Sequence, residues 1–202
     1  ATQFFWQGIS PYTTEFVEAH GRYFLYSPVF TVLFAPFAYL PAWLGPFAWN
    51  LFNYSLFFMA IFTLPQQFTQ QQKCRMFLFL LLILGQSLLS FQYNITVAYL
   101  FLFAYTLLEK DRGFLAVLLI MISGCTKVYG IFELALLLCY PHVWRNFGYA
   151  VTMGIVLLAL PLIKIAPADL LPYYEEWCHS LAVHQSAGAY DSFFYEIGRA
   201  HV

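Results

Sequence analysis

Residues 76–108 read MFLFLLLILGQSLLSFQYNITVAYLFLFAYTLL and contain no charged side chain. A single helix of these 33 residues would be about 50 Å long, because an α-helix rises about 1.5 Å per residue. The hydrocarbon core of a bilayer is only about 30 Å thick. The polar residues in the middle, 90–94 (SFQYN), therefore predict two short membrane helices joined by a tight turn.

The composition of the whole chain points the same way. Of 202 residues, 61% are hydrophobic, 21% aromatic and 9% charged, whereas a soluble domain carries about 25% charged residues. This excludes a soluble single domain, and it also excludes disorder, which requires low hydrophobicity and high charge. The net charge of −1 offers no basic surface for a nucleic acid. We therefore expect an all-α protein, a polytopic transmembrane helix bundle whose neighbours are membrane lipids.

Other uncharged runs predict further helices, because a backbone in lipid must satisfy its own hydrogen bonds. The segment 28–43 is apolar but short and carries Pro28, Pro36 and Pro41, which favours a re-entrant or interfacial helix. Residues 1–27 and 166–195 are expected as outer loops of the same domain, 1–195. The membrane helices are expected at about 47–64, 76–90, 94–108, 113–126, 128–140 and 147–163.

Basic residues in short loops predict the orientation of the chain in the membrane. If residues 113–140 bend near Lys127, all three basic loops fall on the cytoplasmic side; if they form one straight helix, Arg145 changes sides. We favour the bend, which places residues 1–27, the turn 91–94, Lys127 and the tail 166–195 on the extracytoplasmic face. The expected location is a bacterial inner (plasma) membrane, crossed several times. The basic loop residues are Lys73, Arg75, Lys110, Arg112 and Arg145.

Lys127 interrupts an apolar run, where a cation costs about 2.5–3.5 kcal/mol at the membrane centre. Such a lysine at a pocket near the outer face binds a phosphate as a point charge. The alternatives are an ion pair with Glu133 and extension of the side chain to the interface.

Two further polar positions are candidate ligand contacts. Gln92 and Asn94 flank Tyr93 in the predicted turn, and their amides suit sugar hydroxyls or phosphate oxygens; helix capping by Asn is the alternative. His184 lies in a predicted polar loop, where it either donates to a phosphate or simply faces solvent. The four cysteines have no CxxC spacing, and residues 175–179 (EEWCH) fit no zinc pattern. We expect no metal and no cofactor.

Several of these segments, taken in order, resemble glycosyltransferase family 87, integral-membrane enzymes that use polyprenyl-phosphate mannose. The likeness extends over residues 1–190 and rests on the order of short motifs rather than on one of them. The turn FQYN at 91–94 stands where the family tends to have Gly-Gln-x-Asn, and Lys127 follows a glycine-containing span. The other matching segments are GISPY at 8–12, YSP at 26–28, APFAYLP at 35–41 and HQS at 184–186, which resembles an Asn-Gln-Ser segment.

The resemblance implies a GT-C fold, in which the extracytoplasmic loops of a helix bundle form the active site. It implies inverting transfer of a hexose, mannose, from a polyprenyl-phosphate donor to an acceptor hydroxyl of a glycolipid, a polysaccharide or a protein. The donor is a substrate, so no cofactor is implied. The residues expected to bind its phosphate or sugar are Gln92, Asn94, Lys127, Tyr26 and His184.

In the family an acidic residue in the first outer loop serves as general base. The resemblance places that acid upstream of Ala1, and Glu15 and Glu18 are weak candidates for it within the chain. The last seven residues, 196–202 (EIGRAHV), resemble the translation of a sequencing adapter. We therefore expect an internal fragment of a longer protein, whose natural sequence continues differently after residue 195.

Two other classes of function remain open at this point. A transporter or flippase for a lipid-linked or small polar solute suits the ionisable residues Lys127 and Glu133 and the broken helices. However, no internal repeat relates the two halves of the chain. A membrane scaffold without catalysis needs neither acids nor amides in the outer loops.

Overall fold

A computed structural model describes residues 1–21, 23–89 and 93–199, and all secondary structure within them is helical. This confirms the all-α prediction. The α-helices are α1 (Thr2–Trp6), α2 (Thr14–His20), α3 (Pro28–Leu33), α4 (Ala35–Ala38), α5 (Leu44–Phe62), α6 (Gln70–Leu89), α7 (Asn94–Leu108), α8 (Gly113–Thr126), α9 (Val143–Leu158) and α10 (Leu170–Arg199). Three 3₁₀ helices cover Val128–Cys139, Leu160–Ile163 and Pro167–Asp169.

The long uncharged run is divided between two helices. Helix α6 ends at Leu89 and α7 begins at Asn94. Helix α6 starts at Gln70, before the apolar run, because Thr69 and Gln72 form a capping box there. The Gln72 side chain accepts from the backbone N–H of Thr69 at 2.8 Å, and the Thr69 hydroxyl accepts from the N–H of Gln72 at 3.3 Å.

Helix α8 lies at the centre of the packing and contacts α7, α9 and the 3₁₀ helix Val128–Cys139. The core that these helices form contains the small buried residues Ala104, Ala116 and Ala150, and small residues let helix backbones approach closely. A second cluster joins α5 to α7, where the buried Thr96 hydroxyl donates to Asn53 Oδ1 at 2.5 Å.

The helix ends where a bend was expected. Helix α8 ends at Thr126, and Lys127 is extended, with φ −139° and ψ 120°. The 3₁₀ helix that follows turns back and packs against α8. At the bend a Cβ on Gly130 would lie 2.6 Å from the carbonyl carbon of Ser123, so only glycine fits there.

A buried lysine near the start of α6 bonds back to the end of α5. Lys73 is 6% exposed, and its ammonium donates to the carbonyl of Leu64 at 2.6 Å and to that of Phe62 at 3.3 Å. Carbonyls at the end of a helix have no partner within the helix. Lys73 therefore caps α5 with its side chain.

One helical stretch of the described chain, Val143–Ile163, is long and apolar enough to cross a membrane. Three shorter apolar helices accompany it: Asn94–Leu108, Gly113–Thr126 and Val128–Cys139.

The segments expected as loops contain helices. Residues 1–27 include α1 and α2, and the Thr13 hydroxyl caps α2 by accepting from the N–H of Phe16 at 3.3 Å. Residues 166–195 lie mostly in α10, so His184 is on a helix rather than in a polar loop. Pro172 permits this helix because it stands in the first turn, where a backbone N–H has no helical partner.

Candidate functional site

Lys127 is the centre of a small polar cluster. Its ammonium donates to Asn94 Oδ1 at 2.6 Å, and Asn94 Oδ1 also accepts from the Tyr129 hydroxyl at 2.5 Å. The same ammonium lies 4.6 Å from the centre of the Tyr129 ring and 5.4 Å from that of Tyr26. Both distances suit a cation–π interaction. We call these four residues, Tyr26, Asn94, Lys127 and Tyr129, the lysine site.

Each member of the lysine site stands at the end of an element. Asn94 opens α7, Lys127 follows α8, and Tyr129 lies in the first turn of the next 3₁₀ helix. Because α7 and α8 are packed neighbours, their ends bring the amide and the ammonium together.

Tyr26 reaches the site from the N-terminal segment, which is fastened to the end of α8. The N–H of Ser27 donates to the carbonyl of Thr126 at 3.1 Å, and the Ser27 hydroxyl donates to that of Cys125. The Tyr12 hydroxyl donates to the Tyr26 carbonyl at 2.8 Å. These bonds fix the Tyr26 ring under the ammonium.

The expected alternative for Lys127, an ion pair with Glu133, is not formed. Glu133 is buried and accepts from the Ser123 hydroxyl at 2.8 Å. Among the side chains that the structure describes, the ion pair present joins Arg145 to Asp111 at 3.9 Å. Lys127 is thus held by a neutral amide and two rings, and its charge is available to an anion.

Lys127 stands between two helices and outside both of them. Partial burial removes water from the ammonium and lowers the pKa of Lys127 to about 8. The side chain is still mostly charged at neutral pH. Binding of an anion would restore the electrostatic stabilisation that desolvation removes.

An aromatic cavity of about 490 Å³ adjoins the lysine site. Tyr26 belongs to both, since its ring lies near the ammonium and also lines the cavity. Tyr93, next to Asn94 in the chain, lines it too. The remaining lining is mainly apolar: Thr2, Gln3, Phe30, Phe34, Phe37, Ala38, Leu40, Pro41, Ala42, Gly45, Pro46 and Trp49.

The structure brings together three of the five residues expected to bind the donor. Tyr26, Asn94 and Lys127 meet in the lysine site, and Gln92 lies outside the described residues. His184 is exposed on α10, and the recorded contact of its ring is with Tyr23, at 5.8 Å.

The two acidic candidates lie on the short helix α2. Glu15 and Glu18 are both exposed there. Glu18 lines a cavity of about 240 Å³ together with His179 and Ser180 of α10. In the described structure neither carboxylate contacts the lysine site.

Sequence reasoning did not single out Tyr129. The available indication was its position two residues after Lys127, directly behind the expected bend. The backbone turns there, and this returns the ring to the ammonium.

Comparison with known proteins agrees with this picture. No curated protein and no solved structure matches the chain. The sequence profile of Glycosyltransferase family 87 matches residues 24–195, which is most of the chain and includes the whole lysine site. The family consists of membrane glycosyltransferases. The expected resemblance is confirmed, and the chain belongs to glycosyltransferase family 87.

Proposed function

We propose that this protein transfers a hexose, mannose, from a polyprenyl-phosphate donor to an acceptor hydroxyl, with inversion at the anomeric carbon. The reaction takes place on the extracytoplasmic face of a bacterial inner membrane that the chain crosses several times. One observation carries the proposal: an uncompensated ammonium borders an aromatic cavity. A lipid phosphate needs both, a cation for its head and an apolar cavity for its tail.

Lys127 is the phosphate contact in this proposal. A lysine ammonium has three N–H donors, and Asn94 uses one of them. The other two are available to phosphate oxygens, and the Tyr129 hydroxyl, which donates to Asn94 Oδ1, holds that amide in place beside them. Because no described carboxylate pairs with Lys127, a phosphate does not have to displace an internal anion.

The aromatic cavity holds the first isoprene units of the donor. Phe30, Phe34 and Trp49 line it with rings that contact one another in sequence, and Tyr26 connects these rings to the lysine site. Ligand cavities of about 300–1,000 Å³ enclose a drug-sized molecule. The volume therefore suits the head end of a polyprenyl chain, and the rest extends into lipid.

The transfer step follows from these roles. The acceptor hydroxyl attacks the anomeric carbon and loses its proton to a carboxylate base, while the bond from that carbon to the phosphate oxygen breaks. Lys127 stabilises the charge that remains on the leaving polyprenyl phosphate. The base is the acid that the family pattern places before Ala1; Glu15 and Glu18 are weaker candidates.

The direct test compares Lys127→Ala with Lys110→Ala, a substitution of an exposed lysine in the loop after α7. Binding of a polyprenyl phosphate to the chain in nanodiscs is followed by tryptophan fluorescence, because Trp49 lines the cavity. Transfer of labelled mannose from polyprenyl-phosphate mannose to crude membrane acceptors is measured in the full-length protein.

We expect Lys127→Ala to weaken lipid phosphate binding at least about tenfold, as a charged hydrogen bond contributes about 1.5–3 kcal/mol. It should also abolish transfer without reducing membrane insertion. Lys110→Ala should behave like the wild type. Wild-type binding and turnover in Lys127→Ala would contradict the proposal.

A further inference from the structure

A second cavity, of about 380 Å³, lies between the N-terminal segment and the start of α10. We call it the polar cavity. Its lining combines charged and hydroxyl-bearing side chains with one buried ring. The lining residues that bear on its chemistry are Phe5, Ser10, Lys164, Asp169, Tyr173 and Glu176.

The polar groups of this cavity include both donors and acceptors of hydrogen bonds. The Ser10 hydroxyl donates to Glu176 Oε2 at 2.5 Å, and both residues line the cavity. The Tyr173 hydroxyl is buried beside Ser10 without reaching hydrogen-bond geometry with any described residue. Burial raises the pKa of Tyr173, so its hydroxyl stays protonated and is a donor.

The charge of the lining favours a neutral ligand. One ammonium, Lys164, faces two carboxylates, Asp169 and Glu176, so the lining carries a formal charge of −1. An anion would meet the carboxylates, and a metal cation would meet the ammonium. A neutral polyol avoids both costs and uses both kinds of hydrogen-bonding group. Phe5, which is 1% exposed, packs edge-on against the Tyr173 ring at 5.9 Å, and the half-buried Tyr173 ring forms the aromatic part of the lining.

The polar cavity is connected to the lysine site through two tyrosines. The rings of Tyr173 and Tyr12 lie 5.5 Å apart, and the Tyr12 hydroxyl donates to the Tyr26 carbonyl at 2.8 Å. The indole N–H of Trp177, one turn along α10, donates to the Leu25 carbonyl at 3.1 Å. Helix α10, which lines the polar cavity, is thereby fixed to the segment that carries Tyr26.

We infer that the polar cavity binds the polyhydroxylated headgroup of the acceptor, with Glu176 and Asp169 accepting hydrogen bonds from its hydroxyls. The inference rests on the proposed function, because it identifies the second substrate of that reaction as sugar-bearing. It assigns Glu176 a binding role and requires no chemistry at its carboxylate.

The test measures binding of methyl α-D-mannopyranoside to the complete chain in nanodiscs by saturation-transfer difference NMR. Glu176→Gln keeps the shape of the side chain and removes the charge, and we expect it to weaken binding at least tenfold. Glu175→Gln is the matched control, since this exposed neighbour does not line the polar cavity, and it should leave binding unchanged. Asp169→Asn is a second variant that should also weaken binding, and thermal unfolding checks that each variant is folded.

Three outcomes would overturn the inference: no saturable binding to the wild type, equal binding to Glu176→Gln, or equal losses in Glu176→Gln and Glu175→Gln. Lys127→Ala separates the two proposals. If it abolishes sugar binding while Glu176→Gln does not, the sugar lies at the lysine site; the inference then fails and the proposed function stands. If the wild type binds no polyprenyl phosphate but binds the sugar through Glu176, the proposed function fails, and the polar cavity remains a polyol site whose ligand is not an acceptor.

Discussion

The aromatic cavity and the polar cavity are both lined in part by residues 1–27, yet their chemistry differs in almost every respect. The first has ring walls and borders one ammonium that is held by an amide and by π-faces. The second has charges of both signs and a bonded serine–carboxylate pair. An unpaired cation beside an apolar cavity selects an amphipathic anion, whereas a mixed polar lining selects a neutral polyol. The transfer that we propose, from a lipid-linked donor to a sugar acceptor, would use this difference.

The largest expected effect is an all-or-none labelling pattern. It tests whether both cavities open to the extracytoplasmic side of the membrane. Cys178 lies on α10 two residues after Glu176, and Cys74 lies between Lys73 and Arg75; both cysteines are exposed. In single-cysteine variants, an impermeant maleimide should label Cys178 in intact spheroplasts and Cys74 only after permeabilisation. The reverse pattern would place both cavities on the cytoplasmic side.

The next largest effect is expected from Gly130→Ala, which should change the geometry of the lysine site and leave the polar cavity as it is. The new Cβ would lie 2.5 Å from Ser123 Oγ and 2.6 Å from the Ser123 carbonyl carbon, so the bend after Lys127 must shift. Overpacking of this kind costs about 1–3 kcal/mol. Thermal unfolding should reveal the loss, together with weaker binding of a polyprenyl phosphate and unchanged binding of methyl α-D-mannopyranoside.

Gly148→Ala is the control for that substitution. No atom lies within 4 Å of the position of its Cβ in α9, and alanine favours a helix over glycine by about 0.5–1 kcal/mol. Its stability should therefore equal or exceed that of the wild type. Equal destabilisation by the two substitutions would show that the Gly130 contact does not matter.

Affinity at the lysine site should fall about tenfold as the pH rises, a change that the polar cavity, which Lys127 does not line, should not share. Desolvation lowers the pKa of Lys127 to about 8, so the ammonium is charged below that pH and loses its proton as the pH rises through it. At pH 9 about a tenth of the molecules keep the charge. Affinity for a polyprenyl phosphate should fall about tenfold between pH 7 and pH 9, measured by tryptophan fluorescence.

Lys127→Arg sharpens this measurement, because a guanidinium stays protonated at pH 9. The variant should have a flat profile over the same range, even if its affinity at pH 7 is lower. A fall in the arginine variant as steep as that of the wild type would assign the pH dependence to another group.

The smallest effect concerns the shared tyrosine. Tyr26→Ala removes one of the two rings beside the ammonium and part of the cavity wall, and a cation–π contact contributes about 0.5–1 kcal/mol at an exposed site. Affinity for a polyprenyl phosphate should fall about two- to fivefold. Tyr26→Phe keeps the ring and loses only the acceptor for the Tyr93 N–H at 3.3 Å, so it should stay near the wild type. Equal losses in both variants would assign the effect to the hydroxyl.

The features that were predictable from the sequence are those in which a polar group interrupts an apolar run. Helix α6 ends at Leu89 and α7 begins at Asn94, and Lys127 follows the end of α8, because a membrane helix tolerates neither excessive length nor an unpaired charge. The family motifs around Tyr26, Asn94 and Lys127 added that these positions act together, and the structure brings them into contact.

The contacts that were not predictable join residues that are distant in sequence or depend on local backbone geometry. Ser10 meets Glu176 across 166 positions, and no local pattern indicates that pairing. Helix α10 was expected as a loop because its polar residues and Gly188 resemble loop composition, but in the structure it continues through them. The role of Tyr129 depends on how tightly the chain turns after Lys127.

We expect the charge of Lys73 to act differently before and after the chain folds. A lysine near the end of a membrane helix biases the orientation in which that helix enters the membrane, and this effect acts on the chain before it packs. Once the chain is folded, the same ammonium is buried and bonded to the carbonyls of Phe62 and Leu64. In the folded chain the Arg75 side chain is therefore exposed, whereas the charge of Lys73 is enclosed by protein. The charge that we expect to guide insertion is thus the one that caps α5 in the folded chain.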